Sequence, residues 1–211
     1  MTTAAASAPT SRVLADLIAR PSSRTRAFAI DASLVLAGVA VVALLAKVSF
    51  YIGPIPITGQ TLGVILVGTA LGAARGAAAL TSYAVLGVAG LPVFAGPVAG
   101  PAYVLSPSFG FILGFIPAAF VAGWFAQRAW DRRPVLAFVG FVAASAIPFL
   151  IGVPYLAVVL SAVMGVDITV ASVLDAGLWP FIVPGLIKAG VAALLIPGAW
   201  ALVRAVDARK N

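Results

Sequence analysis

A lone lysine, Lys188, sits in a run that is otherwise uncharged from 178 to 203. It follows Pro180 by eight residues, which is about two turns or ~12 Å along a helix. That is too deep for its amine to extend easily to an aqueous interface. A charge at such depth costs about 2.5–3.5 kcal/mol on insertion scales and usually faces a cavity or a partner. The chemistry on offer is an ammonium that can hold an anionic or strongly hydrogen-bond-accepting small molecule. Pairing with a loop carboxylate such as Asp175 is the other reading. Tyr83, Phe94, Tyr103, Phe109, Trp179 and Phe181 are available as aromatic walls for such a site.

Other chemistries are poorly served. The chain has no cysteine and no histidine, so disulfides, thiol catalysis, histidine triads and the usual zinc or haem ligand sets have no donors. No G-x-x-x-x-G-K-[ST] phosphate loop occurs, and no expected span carries the buried carboxylate of a typical proton relay, Asp31 lying at the cytoplasmic start of the first. No catalytic residue, metal site or cofactor is therefore expected, and active transport would draw its energy from a partner.

The elements that must position Lys188 follow from composition. Of 211 residues, 63% are hydrophobic and 9% charged, whereas soluble domains average roughly 25% charged. No charge occurs from 76 through 127 or from 134 through 166, and about 20 apolar residues cross a bilayer as a helix. Spans are expected at 30–50, 58–74, 76–89, 108–126, 134–164 and 178–203, giving an all-α integral membrane protein built as a six-helix bundle. Pro54 and Pro56 break the chain after the first span, since proline lacks a donor and restricts its predecessor. Arg75 marks a tight turn between the second and third. A long connection at 90–107 holds four prolines and three glycines, and such backbone must be watered or buried by protein.

The net charge of +7 is distributed by topology. Arg12, Arg20, Arg24, Arg26, Arg75, Arg128, Arg132, Arg133, Arg204, Arg209 and Lys210 fall on one side of a six-span arrangement, and Lys47 alone on the other. Basic residues in short loops stay cytoplasmic, so both termini are expected in the cytoplasm; no nucleic-acid partner is expected. The first apolar run is long for a secretory signal and is read as a span after a cytoplasmic tail. Residues 1–28 form that tail, mobile or a short surface helix, 29–205 the membrane domain, and 206–211 a second tail. Ala29, Ser33 and Ala37 make a small-residue stripe on the first span, suited to packing within the bundle or against another membrane protein.

Four segments carry a family resemblance. Pro54-Ile55-Pro56-Ile57-Thr58-Gly59-Gln60-Thr61-Leu62-Gly63, continued by Gly68, Leu71-Gly72 and Arg75-Gly76, resembles the first signature of the BioY family. The runs 83–96, 105–115 and 180–188 resemble the other three, in the same order and spacing. The resemblance implies an S component of an energy-coupling-factor (ECF) transporter, a six-helix protein of the cytoplasmic membrane that captures biotin from outside. It further implies a transmembrane coupling protein (T component) and two ATPase subunits as partners. Ala29, Ser33 and Ala37 would then be the docking face. By position, Lys188 matches the family's binding lysine, Tyr83 and Gly87 lie in the biotin-facing segment, and Phe94 begins the lid. Phe109 is a candidate wall residue. The family commonly has Asp three residues before the lysine, where Gly185 stands here. Whether Lys188 meets biotin's ureido oxygen or its carboxylate therefore stays open. An S component for another vitamin and a solitary biotin carrier are the alternatives.

Overall fold

The computed structural model describes residues 13–18, 23–51 and 54–209. Inside a bilayer every backbone polar group must find its partner within the protein, and a helix does so within one segment. The chain is accordingly mostly helical: α1 (Arg24–Ala46), α2 (Gln60–Leu71), α3 (Ala73–Val88), α4 (Phe109–Ala126), α5 (Pro134–Val158), α6 (Val170–Gly177) and α7 (Trp179–Ala208). Among the described residues, four segments are long and apolar enough to cross a membrane: Arg24–Ala46, Phe109–Ala126, Pro134–Val163 and Val170–Val206. α2 and α3 have 12 and 16 residues, rising about 18 and 24 Å against a hydrocarbon core of about 30 Å.

Helix α4 lies at the centre, packed against α2, α3 and α5, while α1 flanks α2 and α3 and α7 flanks α5 and α2. Small residues make the close approaches. A Cβ on Gly68 would collide with the carbonyl of Ala119, and one on Gly114 would stand 2.6 Å from the Cα of Pro148. On α7 the stripe Ala189, Ala192, Ala193 and Ile196 packs inward with Ile65 and Phe141, while Ile187, Leu194 and Leu202 are exposed. Small residues inside and leucine outside is the pattern of a bundle whose outer solvent is hydrocarbon.

Several elements differ from the sequence expectations. The proline-rich break after α1 is part of a hairpin, β1 (Ser49–Tyr51) pairing antiparallel with β2 (Pro56–Thr58), with Tyr51 opposite Pro56. Proline is tolerated there because it begins its strand. The turn between α2 and α3 falls at Gly72, whose φ of +85° favours glycine, rather than at Arg75. Arg75 sits in the first turn of α3, 2.5 Å from Asp16 and 3.7 Å from Asp31. Asp16 belongs to a 3₁₀ turn, Leu14–Leu17, flanked by the buried Val13; part of the expected tail thus packs into the core. α5 contains Pro148 and Pro154 and widens into a π-helix at Val159–Val163. α6 replaces an expected loop and begins with a capping box between Thr169 and Ser172. The tail boundaries at 28/29 and 205/206 fall inside α1 and α7. Residues 1–12, Arg20, Ile52, Gly53 and Lys210 lie outside the described residues.

Candidate functional site

Lys188 lies on α7, nine residues past Trp179. Its Nζ donates to the carbonyl oxygen of Thr58 at 2.5 Å and to Thr61 Oγ1 at 3.0 Å. It is therefore turned toward the start of α2, not paired with Asp175. An ammonium has three donors; two are engaged by these protein oxygens, and the third has no hydrogen-bond partner among the described residues.

The polar contacts continue behind it. Thr58 Oγ1 donates to Gln60 Oε1 at 2.8 Å and accepts from the Gln60 backbone N–H at 3.1 Å. Gln60 Nε2 donates to the Tyr83 hydroxyl at 2.6 Å, and that hydroxyl donates to the carbonyl of Val93 at 2.9 Å. Thr58, Gln60 and Tyr83 are all buried, where an unmade hydrogen bond is expensive. The relay thus joins α7, the hairpin, α2, α3 and the connection after α3 at one level.

In front of Lys188 is a chamber with about 670 Å³ of empty space, its mouth included. Ile55 and Pro56 of the hairpin, Thr58, Gln60 and Thr61, and Tyr103 and Ser108 line it on one side. Phe111, Ile112 and Phe115 of α4, Ser145, Pro148 and Phe149 of α5, and Phe181 and Gly185 of α7 complete it. The walls are apolar and aromatic with a few convergent polar groups, which is the usual make-up of a small-molecule site.

Of the residues singled out by sequence, Lys188, Gly185, Tyr103 and Phe181 border the chamber, whereas Trp179 is exposed and does not. Tyr83 stands one hydrogen bond behind it, through Gln60. Phe94 is fully buried against Gly87, where any Cβ would fall among its ring atoms. The Phe94 ring packs on Tyr103, centroids 4.4 Å apart, and edge-on to Tyr83 at 5.4 Å. Phe109 is buried between Tyr103 and Tyr155, with centroids 6.4 and 6.1 Å away. Tyr83, Gly87, Phe94 and Phe109 thus back the wall that Tyr103 presents. Burial raises the Tyr103 hydroxyl pKa above its ordinary value, with the Ser108 hydrogen bond acting the other way, so the wall is neutral.

The segment after α3 is tied down on its far side. Lys47 Nζ donates to the carbonyls of Pro92 at 2.7 Å and Phe94 at 2.9 Å, and Gly100 N–H donates to the Gly87 carbonyl at 2.8 Å. Tyr155 donates to the carbonyl of Val104. On α1, the exposed Ala29, Ser33 and Ala37 line a shallow groove with Ile18, Ile30 and Leu34.

Sequence reasoning gave no role to Thr58, Gln60, Thr61, Ser108 or Ser145. The first three were discoverable as a polar cluster where a proline-rich break meets an apolar helix. Ser145 had no signal, being one serine in an alanine-rich run.

Residues 18–205 match the family model described as BioY family. A biotin transporter BioY of Rhizobium etli is 39% identical over 159 residues, covering 72% of this chain and 81% of that protein. A probable biotin transporter BioY of Pyrococcus horikoshii is 36% identical over 165 residues, covering 78% and 93%. Among solved structures, the crystal structure at 2.1 Å of the S-component for biotin from an ECF-type ABC transporter aligns with a TM-score of 0.64 at 22% identity. It covers 86% of this chain and 95% of that one, a likeness of fold.

Proposed function

The chain belongs to the BioY family, and we propose that it is the biotin-binding S component of an ECF-type transporter in the cytoplasmic membrane. Its task is capture and delivery, without chemistry on the ligand. The observation that carries this reading is the inward-turned ammonium of Lys188 beside an apolar chamber. Biotin offers such a site a cyclic urea, a carboxylate and an apolar bicyclic body.

In this proposal the chain crosses the bilayer six times, the short α2 and α3 forming the second and third crossings, with both termini inside. The basic residues support that orientation, since all but Lys47 and Lys188 cluster at one end. Biotin enters from outside between the hairpin and the segment after α3. A coupling protein docks at Ala29, Ser33 and Ala37, and two ATPase subunits supply energy for which this sequence has no phosphate loop.

Mass spectrometry of ligand released from the protein purified out of biotin-grown cells tests the reading. Near-equimolar biotin is expected, and a different vitamin or none overturns it. Uptake that persists undiminished without coupling and ATPase subunits would identify a solitary carrier instead.

A further inference from the structure

We infer that the hydroxyl of Ser145 is a ligand-binding group of the chamber, hydrogen-bonding the polar end of the bound molecule alongside Lys188. The inference rests on the biotin-binding reading above and adds a residue to its site.

Serine and threonine hydroxyls on apolar helices ordinarily donate to the carbonyl one turn earlier. This chain does so at Ser33 to Ala29 (2.8 Å), Thr81 to Ala77 (2.9 Å) and Ser161 to Ala157 (2.9 Å). Ser145 does not: its Oγ is enclosed, yet has no hydrogen-bond partner among the described residues. Leaving a buried hydroxyl unpaired is unfavourable, and the back-bond to Phe141 is the local remedy it forgoes.

The other side-chain polar groups bordering the chamber are engaged. Thr58 and Gln60 bond each other, Tyr103 bonds Ser108 at 3.1 Å, and Thr61 accepts from Lys188. Thr69 Oγ1 is also unpaired, but it belongs to the packed interior and borders neither the chamber nor the groove beside it. Ser145 therefore combines an unused donor and acceptor with a position on the chamber wall.

Its placement is built in. The close approach of Gly114 to Pro148 seats this part of α5 against α4. Across from it, α7 presents Gly185 and Lys188 one turn apart, and a Cβ on Gly185 would meet nothing within 4 Å. No side chain from position 185 covers Ser145. The same serine also borders an apolar groove between α5 and α7, shared with Phe149, Phe181 and Gly185. A hydrocarbon chain in that groove would offer the hydroxyl nothing, whereas a ureido or carboxylate oxygen in the chamber would.

Biotin titration of the purified full-length protein, paired with thermal melting in the absence of ligand, tests this. Ser145→Ala is expected to weaken biotin binding about ten-fold while leaving the ligand-free melting temperature unchanged or raised. Ser145→Cys, close in volume but a weak donor, is expected to weaken binding in the same direction and carries the test if the alanine variant does not fold. Wild-type protein that binds biotin, with both variants binding equally well, overturns the Ser145 assignment alone. So does weakened binding matched by a lowered ligand-free melting temperature, which would make the serine structural. Wild-type protein that ignores biotin overturns the proposed function and this inference with it.

Discussion

The ammonium of Lys188 lies 2.5 Å from the carbonyl oxygen of Thr58, joining the last helix to the residue that ends β2. A charge that would be costly in hydrocarbon is thereby held by protein oxygens and directed at a hollow. The contact also sets the register of α7 against α2, so Gly185, three residues before Lys188, faces the same chamber. Position and chemistry are fixed by the same contact, and removing the amine should affect ligand binding more than the fold.

The Gly87 and Phe94 contact makes a sharper demand on packing. A Cβ on Gly87 would fall among the Phe94 ring atoms, and that ring supports Tyr103 in the chamber wall. Overpacking of this kind typically costs about 1–3 kcal/mol. Gly87→Ala is expected to lower the melting temperature and weaken biotin binding several-fold together. Unchanged values in calorimetry and titration would mean that the wall does not depend on Phe94.

On α1, the exposed Ser33 lies between Ala29 and Ala37 in the shallow groove. Ser33→Trp fills that groove without touching the chamber. The isolated variant should bind biotin within about two-fold of wild type, since surface changes away from a site are nearly neutral. Energy-dependent uptake with the coupling and ATPase subunits should be lost. Full uptake by this variant would place the docking face elsewhere.

At the other end of the bundle, Asp131 is 1% exposed and its Oδ2 accepts from Trp200 Nε1 at 2.6 Å. Burial raises this carboxyl's pKa, while the Trp200 hydrogen bond and the Arg132 charge pull it back. The folded protein therefore favours the protonated form more than the unfolded chain does. Stability should fall as pH rises from the ordinary carboxylate range through the raised value, then level off. Asp131→Asn keeps an acceptor for Trp200 and should flatten that slope, measured as melting temperature against pH. An identical slope in the variant would assign the dependence to another group.

The sequence was most legible where a long apolar run met clear boundaries. α4 begins one residue from the expected 108 and ends at the expected 126, because Pro107 and the charges after Gln127 bracket it. The hairpin was hidden because three-residue strands are too short to display a period, and Pro54 and Pro56 read only as breakers. α6 was hidden by its length of 8 residues, and the short turn at Leu14–Leu17, which buries Ala15, by the serine and arginine around it. Lys188 was legible as a charge in an apolar run. Tyr83 and Phe94 were legible as candidate aromatic walls and Gly87 through the resemblance, and the structure sets all three one layer behind the chamber surface. Ser145 was not legible, because its hydroxyl's lack of a partner among the described residues is set by tertiary packing that no sequence pattern encodes.

Equilibrium titration of purified wild-type and Lys188→Met protein with biotin bears most directly on the role of the buried ammonium. Methionine keeps much of the apolar stem and removes the charge, and a hydrogen bond to a charged group is worth about 1.5–3 kcal/mol. Saturable binding by wild type, weakened about 10- to 100-fold in a variant that still melts cooperatively, is the expected result. Superimposable titration curves for the two proteins would contradict it.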